Sequence, residues 1–110
     1  MTSNILDITS LEWKPVRPEI TEGVTGKALL DDKVKAVLTR VTPGGRFRPH
    51  ADKYGHLFYF LSGEGVVMVG GKSHKAAAGI TVQVPAGEQH SYENTGKTDM
   101  LLLSMNLPAE

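Results

Sequence analysis

Short apolar runs punctuated by glycine and proline set the pattern of this chain, at residues 36–41, 57–61, 66–69, 80–84 and 100–105. Each is too short for a substantial helix, none keeps a three-and-four spacing, and β-branched residues dominate several of them, so each predicts a strand. Turn signals fall between the runs, at Gly63-Glu64-Gly65, Gly70-Gly71, Ala86-Gly87 and Asn94-Thr95-Gly96. Short strands at such even spacing predict an all-β class, closed into a barrel or sandwich. Residues 1–33 are less patterned and are broken by Pro15 and Pro18. They read as an arm or as edge strands of one domain spanning 1–110. Trp13 in this stretch needs cover, either from a partner subunit or by plugging one end of its own barrel.

Composition narrows the partners. At 110 residues the chain is long enough to bury a real core in one domain. Twelve Lys plus Arg balance twelve Asp plus Glu, so no net field draws it to nucleic acid or to an anionic membrane. Without cysteine there is no disulfide framework, and any metal must be held by nitrogen and oxygen. Residues 1–13 lack a basic start and an apolar run, and residues 100–103 are too short to span a bilayer. A cytoplasmic protein is the expectation.

The chemistry concentrates in two stretches. From Gly44 five residues lead to His50, then come Asp52, His56 after three more, and Gly63 after six. From Gly79 five residues lead to Pro85, then Gly87, His90 after two, and Asn94 after three. On an extended strand residues 50 and 52 share a face, as do 56, 58 and 60, which would set Phe58 and Phe60 as a floor beneath His56.

This paired spacing resembles the cupin superfamily, in particular its small single-domain members with a conserved barrel. The second cupin motif matches at Gly79, Pro85, Gly87, His90 and Asn94. The first matches at Gly44, His50 and Gly63, with Asp52 where a second His is expected and His56 where a Glu is expected. The resemblance implies a double-stranded β-helix, a small jelly roll, with a divalent transition metal (iron, manganese, nickel or zinc) held by His50, Asp52, His56 and His90. The two departures exchange identities and preserve three imidazoles and one carboxylate. Asp is shorter than His, so Asp52 is also a candidate to orient a ligand His or to act as a base on bound water.

Other residues divide between function and surface. Tyr54 is a candidate hydrogen-bond donor to a ligand, with a surface loop position as its alternative. Arg46 and Arg48 share the parity of His50 and could aim at an acidic substrate, although the Pro49 break favours solvent for both. Gln83 and Tyr92 suit either the cavity or the outer surface, and His74 lies outside the motif. Gly71-Lys72-Ser73 fails as a phosphate loop because Val66 stands where a glycine is required. Two functions follow. One is a metal-dependent enzyme on a small polar or acidic molecule, its reaction (dioxygenase, isomerase, lyase or decarboxylase) left open. The other is a non-catalytic sensory module that binds a small ligand. The resemblance and the N-terminal stretch also suggest a homodimer.

Overall fold

The computed structural model describes residues 4–108, which form nine strands and one short 3-10 turn, Ile8–Ser10. The strands are β1 (Lys14–Pro15), β2 (Thr21–Asp31), β3 (Lys35–His50), β4 (Gly55–Ser62), β5 (Glu64–Val69), β6 (Lys72–Ala77), β7 (Thr81–Val84), β8 (His90–Asn94) and β9 (Met100–Leu107). All pairings are antiparallel, in the order β6-β5-β8-β3-β9-β4-β7, with β2 alongside β3 and β1 alongside β2. The sheet curls into the expected double-stranded β-helix. Among the described residues no helix is long and apolar enough to cross a membrane.

The sixteen-residue β3 joins the two halves of the barrel. Its first half, Lys35 to Val41, pairs with β9, and its second half, Arg46 to His50, pairs with β8. The sequence pattern marked only residues 36–41 as a strand, because Pro43, Gly44, Gly45 and Pro49 interrupt the apolar alternation beyond them. The backbone nevertheless continues through a register shift between Phe47 and His50. β6 lacked an apolar signal because most of Lys72–Ala77 is exposed. The Gly70-Gly71 hairpin did carry its signal: Val69 pairs with Lys72, and both glycines have positive φ, 57° and 81°. A two-residue turn of that hand matches the twist of the flanking strands.

Cross-strand register stacks the inward side chains in rows. Val41 lies opposite Met100; Thr39, Leu102 and Phe60 form the next row; Val37, Ser104 and Phe58 the next; Lys35, Asn106 and His56 the last. The lower rows are dry: Val41, Phe60, Met100 and Leu102 have no exposed surface. Truncating a residue such as Phe60 there would cost about 3–5 kcal/mol. The upper rows turn polar, so the same strands that build the core also carry the polar wall of a cavity above it.

Trp13 does not plug the barrel end. It lies half-buried with the cations of Lys27 and Arg40 over its ring, at 4.7 and 4.3 Å from the centroid. Those two residues alternate with inward-facing Gly26 and Thr39, so the indole covers the outer surface of β2 and β3.

Candidate functional site

The register shift between Phe47 and His50 explains how the first histidine reaches the cavity. Residues three apart on a regular strand face opposite ways, but β3 spends one extra residue there against β8. Both side chains therefore point inward and stack, with ring centroids 4.4 Å apart. His90 lies directly across from His50 on β8, and His56 comes from the top row on β4. Asp52 sits in the turn between β3 and β4, pinned by a hydrogen bond from the Gly87 N–H to its carbonyl at 2.8 Å.

These four side chains meet. One ligand atom from each of His50, Asp52, His56 and His90 lies within 4.8 Å of the other three. The Asp52 Oδ2 is 3.2 Å from His50 Nε2, 2.9 Å from His56 Nε2 and 3.8 Å from His90 Nε2. Their side chains are only 2–11% exposed, so water does little to relieve the crowding.

The outward ring nitrogens decide what the inward ones present. His50 Nδ1 donates to the Arg48 carbonyl at 2.8 Å, and His90 Nδ1 donates to the Glu88 carbonyl at 2.9 Å. A carbonyl only accepts, so each of these nitrogens carries the proton. His56 Nδ1 faces the Asn106 Oδ1 at 3.1 Å and is oriented in the same way. In the neutral rings three Nε2 lone pairs therefore converge on a carboxylate oxygen, and among the described residues His90 Nε2 is buried without a hydrogen-bond partner. Acceptors this close are relieved by a proton on one of the rings or by a cation between them, and the group is one that could hold a metal ion. The donor set, three imidazole nitrogens and one carboxylate, fits a divalent transition metal, and the partners behind each ring are those that fix a ligand's tautomer.

Electrostatics agree with that reading. Burial pushes the His90 pKa down, opposed by its bond to the Glu88 carbonyl and reinforced by His50 and His56, and the net fall favours the neutral ring. Burial pushes the Asp52 carboxyl up, but the hydrogen bond from Arg17 and, whenever their rings are protonated, the contacts of His56 and His50 outweigh it, leaving Asp52 ionised below its usual range. Tyr54 is raised by burial and then by the Asp52 charge, so its phenol stays protonated.

The remaining candidates separate cleanly. A cavity of about 340 Å³ opens above the cluster, walled by Phe47, Tyr54, Phe58 and Tyr92 among others. Tyr54 thus belongs to the cavity, edge-on to His56 at 5.2 Å between centroids. Phe58 lies beneath His56 as expected, stacked at 5.4 Å. Phe60 shares that face but lies one row deeper, wholly buried in the core, and does not line the cavity. Arg48 points away from it: the register shift reverses the parity it would have shared with His50, and its guanidinium pairs with Glu22 on the outside, as does that of Arg46. Tyr92 faces inward and is buried, Gln83 is exposed, and His74 is exposed.

Arg17 and Asn106, the partner behind His56, carried no mark in the sequence. Arg17 reaches into the cavity and donates from Nη1 to Asp52 Oδ1 at 3.0 Å, on the carboxylate oxygen opposite the histidines. Its backbone is left-handed, φ 42°, immediately before Pro18, a conformation that costs a non-glycine residue about 1–3 kcal/mol. No local motif announces such a residue, because its partner is 35 positions away.

Comparison with known proteins agrees with the architecture. The family model of the Cupin domain matches residues 37–106. A Thermotoga maritima protein named "Oxalate-binding protein" is 43% identical over 49 residues, a match taking in 44% of this chain and 40% of that protein. A crystal structure of a predicted oxalate decarboxylase from Thermotoga maritima superposes with a TM-score of 0.87 at 25% identity, covering 96% of this chain and 99% of that one. The polyketide cyclase RemF from Streptomyces resistomycificus shares the fold at a TM-score of 0.86 and 22% identity, over 99% of this chain and 81% of its own. With a family model covering more than half its length, the chain belongs to the cupin family.

Proposed function

We propose that this cupin is a metal-dependent enzyme acting on a small carboxylic acid. His50, Asp52, His56 and His90 would hold one divalent transition metal, and the observation that carries this is the buried convergence of three imidazole lone pairs on Asp52, with His90 Nε2 left unpartnered. A bound metal would supply Lewis acidity, or a site for oxygen chemistry if it is redox-active. The protein's own groups have separate tasks. Arg17 holds the far oxygen of Asp52 and so aims the near one. Tyr54 offers a protonated hydroxyl at the cavity wall beside His56. Phe47 and Phe58 exclude water from the ring faces.

The carboxylic acid is favoured by the cavity's charge: Lys14, Arg17 and Lys35 line it against the single carboxylate of Asp52. The oxalate named for the two Thermotoga maritima relatives is an acid of this class. Protein purified without chelators, with iron, manganese, nickel and zinc supplied, should carry about one metal per chain and consume one of a panel of small acids. Metal-free protein, or metallated protein inert towards every acid, would reject the proposal. The name of the oxalate-binding relative favours one second reading, capture of an acid without turnover. A ligand that raises the melting temperature of stripped and metallated protein equally would favour that reading.

A homodimer is part of the proposal. Strand alternation turns Leu38, Leu57, Tyr59, Leu101, Leu103 and Met105 to the outer surface of the β3-β9-β4 sheet. With Tyr59 and Leu61 each about two fifths exposed, this face is apolar enough to seat a second copy.

A further inference from the structure

The cavity has a second polar end that the histidine cluster does not use. Lys35 stands opposite Asn106 on β9, and Asn106 stands opposite His56 on β4. Residues directly opposite across a sheet point the same way, so the Lys35 ammonium shares the cavity wall with the cluster. Two strand spacings separate Lys35 from His56, about 10 Å between backbones. Among the described residues Lys35 takes part in no ion pair, whereas Arg17 in the same cavity is paired with Asp52. The strip between the two ends is partly apolar, with Val37 and Phe58 in the row immediately below.

From this arrangement, and resting on the carboxylic-acid reading above, we infer that the cavity selects an extended dianion: one carboxylate at the histidine–Asp52–Arg17 end, a second acidic group at Lys35, and a short carbon chain between them. A dianion places one carboxylate at the cluster end and gives Lys35 a counter-ion with the other. A monoacid of equal length leaves Lys35 without a counter-ion, and an acid of two carbons engages one end only. The cavity volume, near the lower bound of about 300 Å³ for small-molecule sites, suits a compact chain of this kind. Asn106 is placed to add a further contact, since its side-chain carbonyl is committed to His56 and its amide N–H groups remain as donors on the same wall.

The test compares succinate with butyrate, which share a four-carbon chain and differ by one carboxylate, using calorimetric titration of the metallated protein and of Lys35→Met. Succinate should bind at least tenfold more tightly than butyrate, about 1.4 kcal/mol. In Lys35→Met that advantage should vanish while butyrate affinity and metal content stay unchanged. Equal binding of the two acids, or an advantage that survives the substitution, would overturn the inference. Oxalate binding more tightly than succinate would overturn it too. Repeating the titrations on metal-stripped protein separates this from the metal reading. Failure of the metal site lowers affinity for both acids together, whereas failure of the Lys35 subsite removes only their difference.

Discussion

His90 concentrates the site's chemistry in one side chain. It is the most deeply buried ligand candidate, its outward nitrogen is committed to a backbone carbonyl, and its inward nitrogen has no hydrogen-bond partner among the described residues. His90→Ala should therefore remove most bound metal while the fold survives, because the dry rows of Val41, Phe60, Met100 and Leu102 lie below it; elemental analysis and circular dichroism on one sample read both. Loss of the fold together with the metal would make the ion structural. Arg17 acts through Asp52, so Arg17→Met should weaken metal affinity by roughly 10–100-fold without removing a ligand, as loss of a partner behind a ligand typically does. Competition with a chelator measures it, and Arg17→Lys should restore part of the loss. The pH dependence has a definite sign. His90 is held below its ordinary value chiefly by burial, with the titratable groups of His50, His56 and Asp52 facing it, so the unfolded chain takes up that proton first. Stability of the metal-free protein from this residue is full above about pH 6.5 and falls as the solution is acidified through the lowered value. Asp52, also lowered, adds a loss only in stronger acid, below the ordinary carboxyl range. Urea titrations at stepped pH should show stability declining from about pH 6.5 downwards, and no decline until the carboxyl range would show that His90 makes no such contribution.

At the scale of elements, what positions the ligands is the irregularity of β3. The spacing of His50, Asp52, His56 and His90 was legible because motif residues keep fixed separations whatever the strands do between them. The aim of Arg48 was not, because a single extra residue before His50 inverts every parity argument made across it. Phe60 illustrates a different shortfall: alternation gives the face of a side chain but not its depth, and only cross-strand register with Leu102 places it in the core. Asn94, a fixed position of the second motif, proves to be an architectural residue. It is 1% exposed, and its amide nitrogen donates to the carbonyls of Val41 and Thr98, both at 2.8 Å, while its oxygen accepts from the Gly96 N–H at 2.9 Å. It thereby ties the end of β8 to β3 and to the turn that follows. Asn94→Ala strands the buried carbonyl of Val41 and should cost about 1–3 kcal/mol in chemical denaturation, with little change in metal content per folded chain. A neutral effect on stability would contradict that role.

The whole molecule is a barrel filled with hydrocarbon at one end and polar at the other, with an N-terminal stretch that brings Arg17 over the open end. Residues 1–33 carried the weakest pattern in the chain, yet they contribute β2 and a residue in contact with Asp52. Long-range partners of this kind leave no local signature, which is why the sequence marked the ligand cluster and not its support. The apolar outer face of β3, β9 and β4 belongs to the same scale. Light scattering should report a dimer, and Leu103→Asp should shift it to monomer without loss of metal. A wild-type monomer at high concentration would leave that face without a role. The proposed chemistry depends on one cation lying between three imidazoles and one carboxylate. Diffraction from crystals of unchelated protein, collected on both sides of the absorption edges of iron, manganese, nickel and zinc, tests this most directly. One anomalous peak should lie within roughly 2.0–2.2 Å of the Nε2 atoms of His50, His56 and His90. No peak there in protein shown to contain metal, or a peak elsewhere in the molecule, would contradict it.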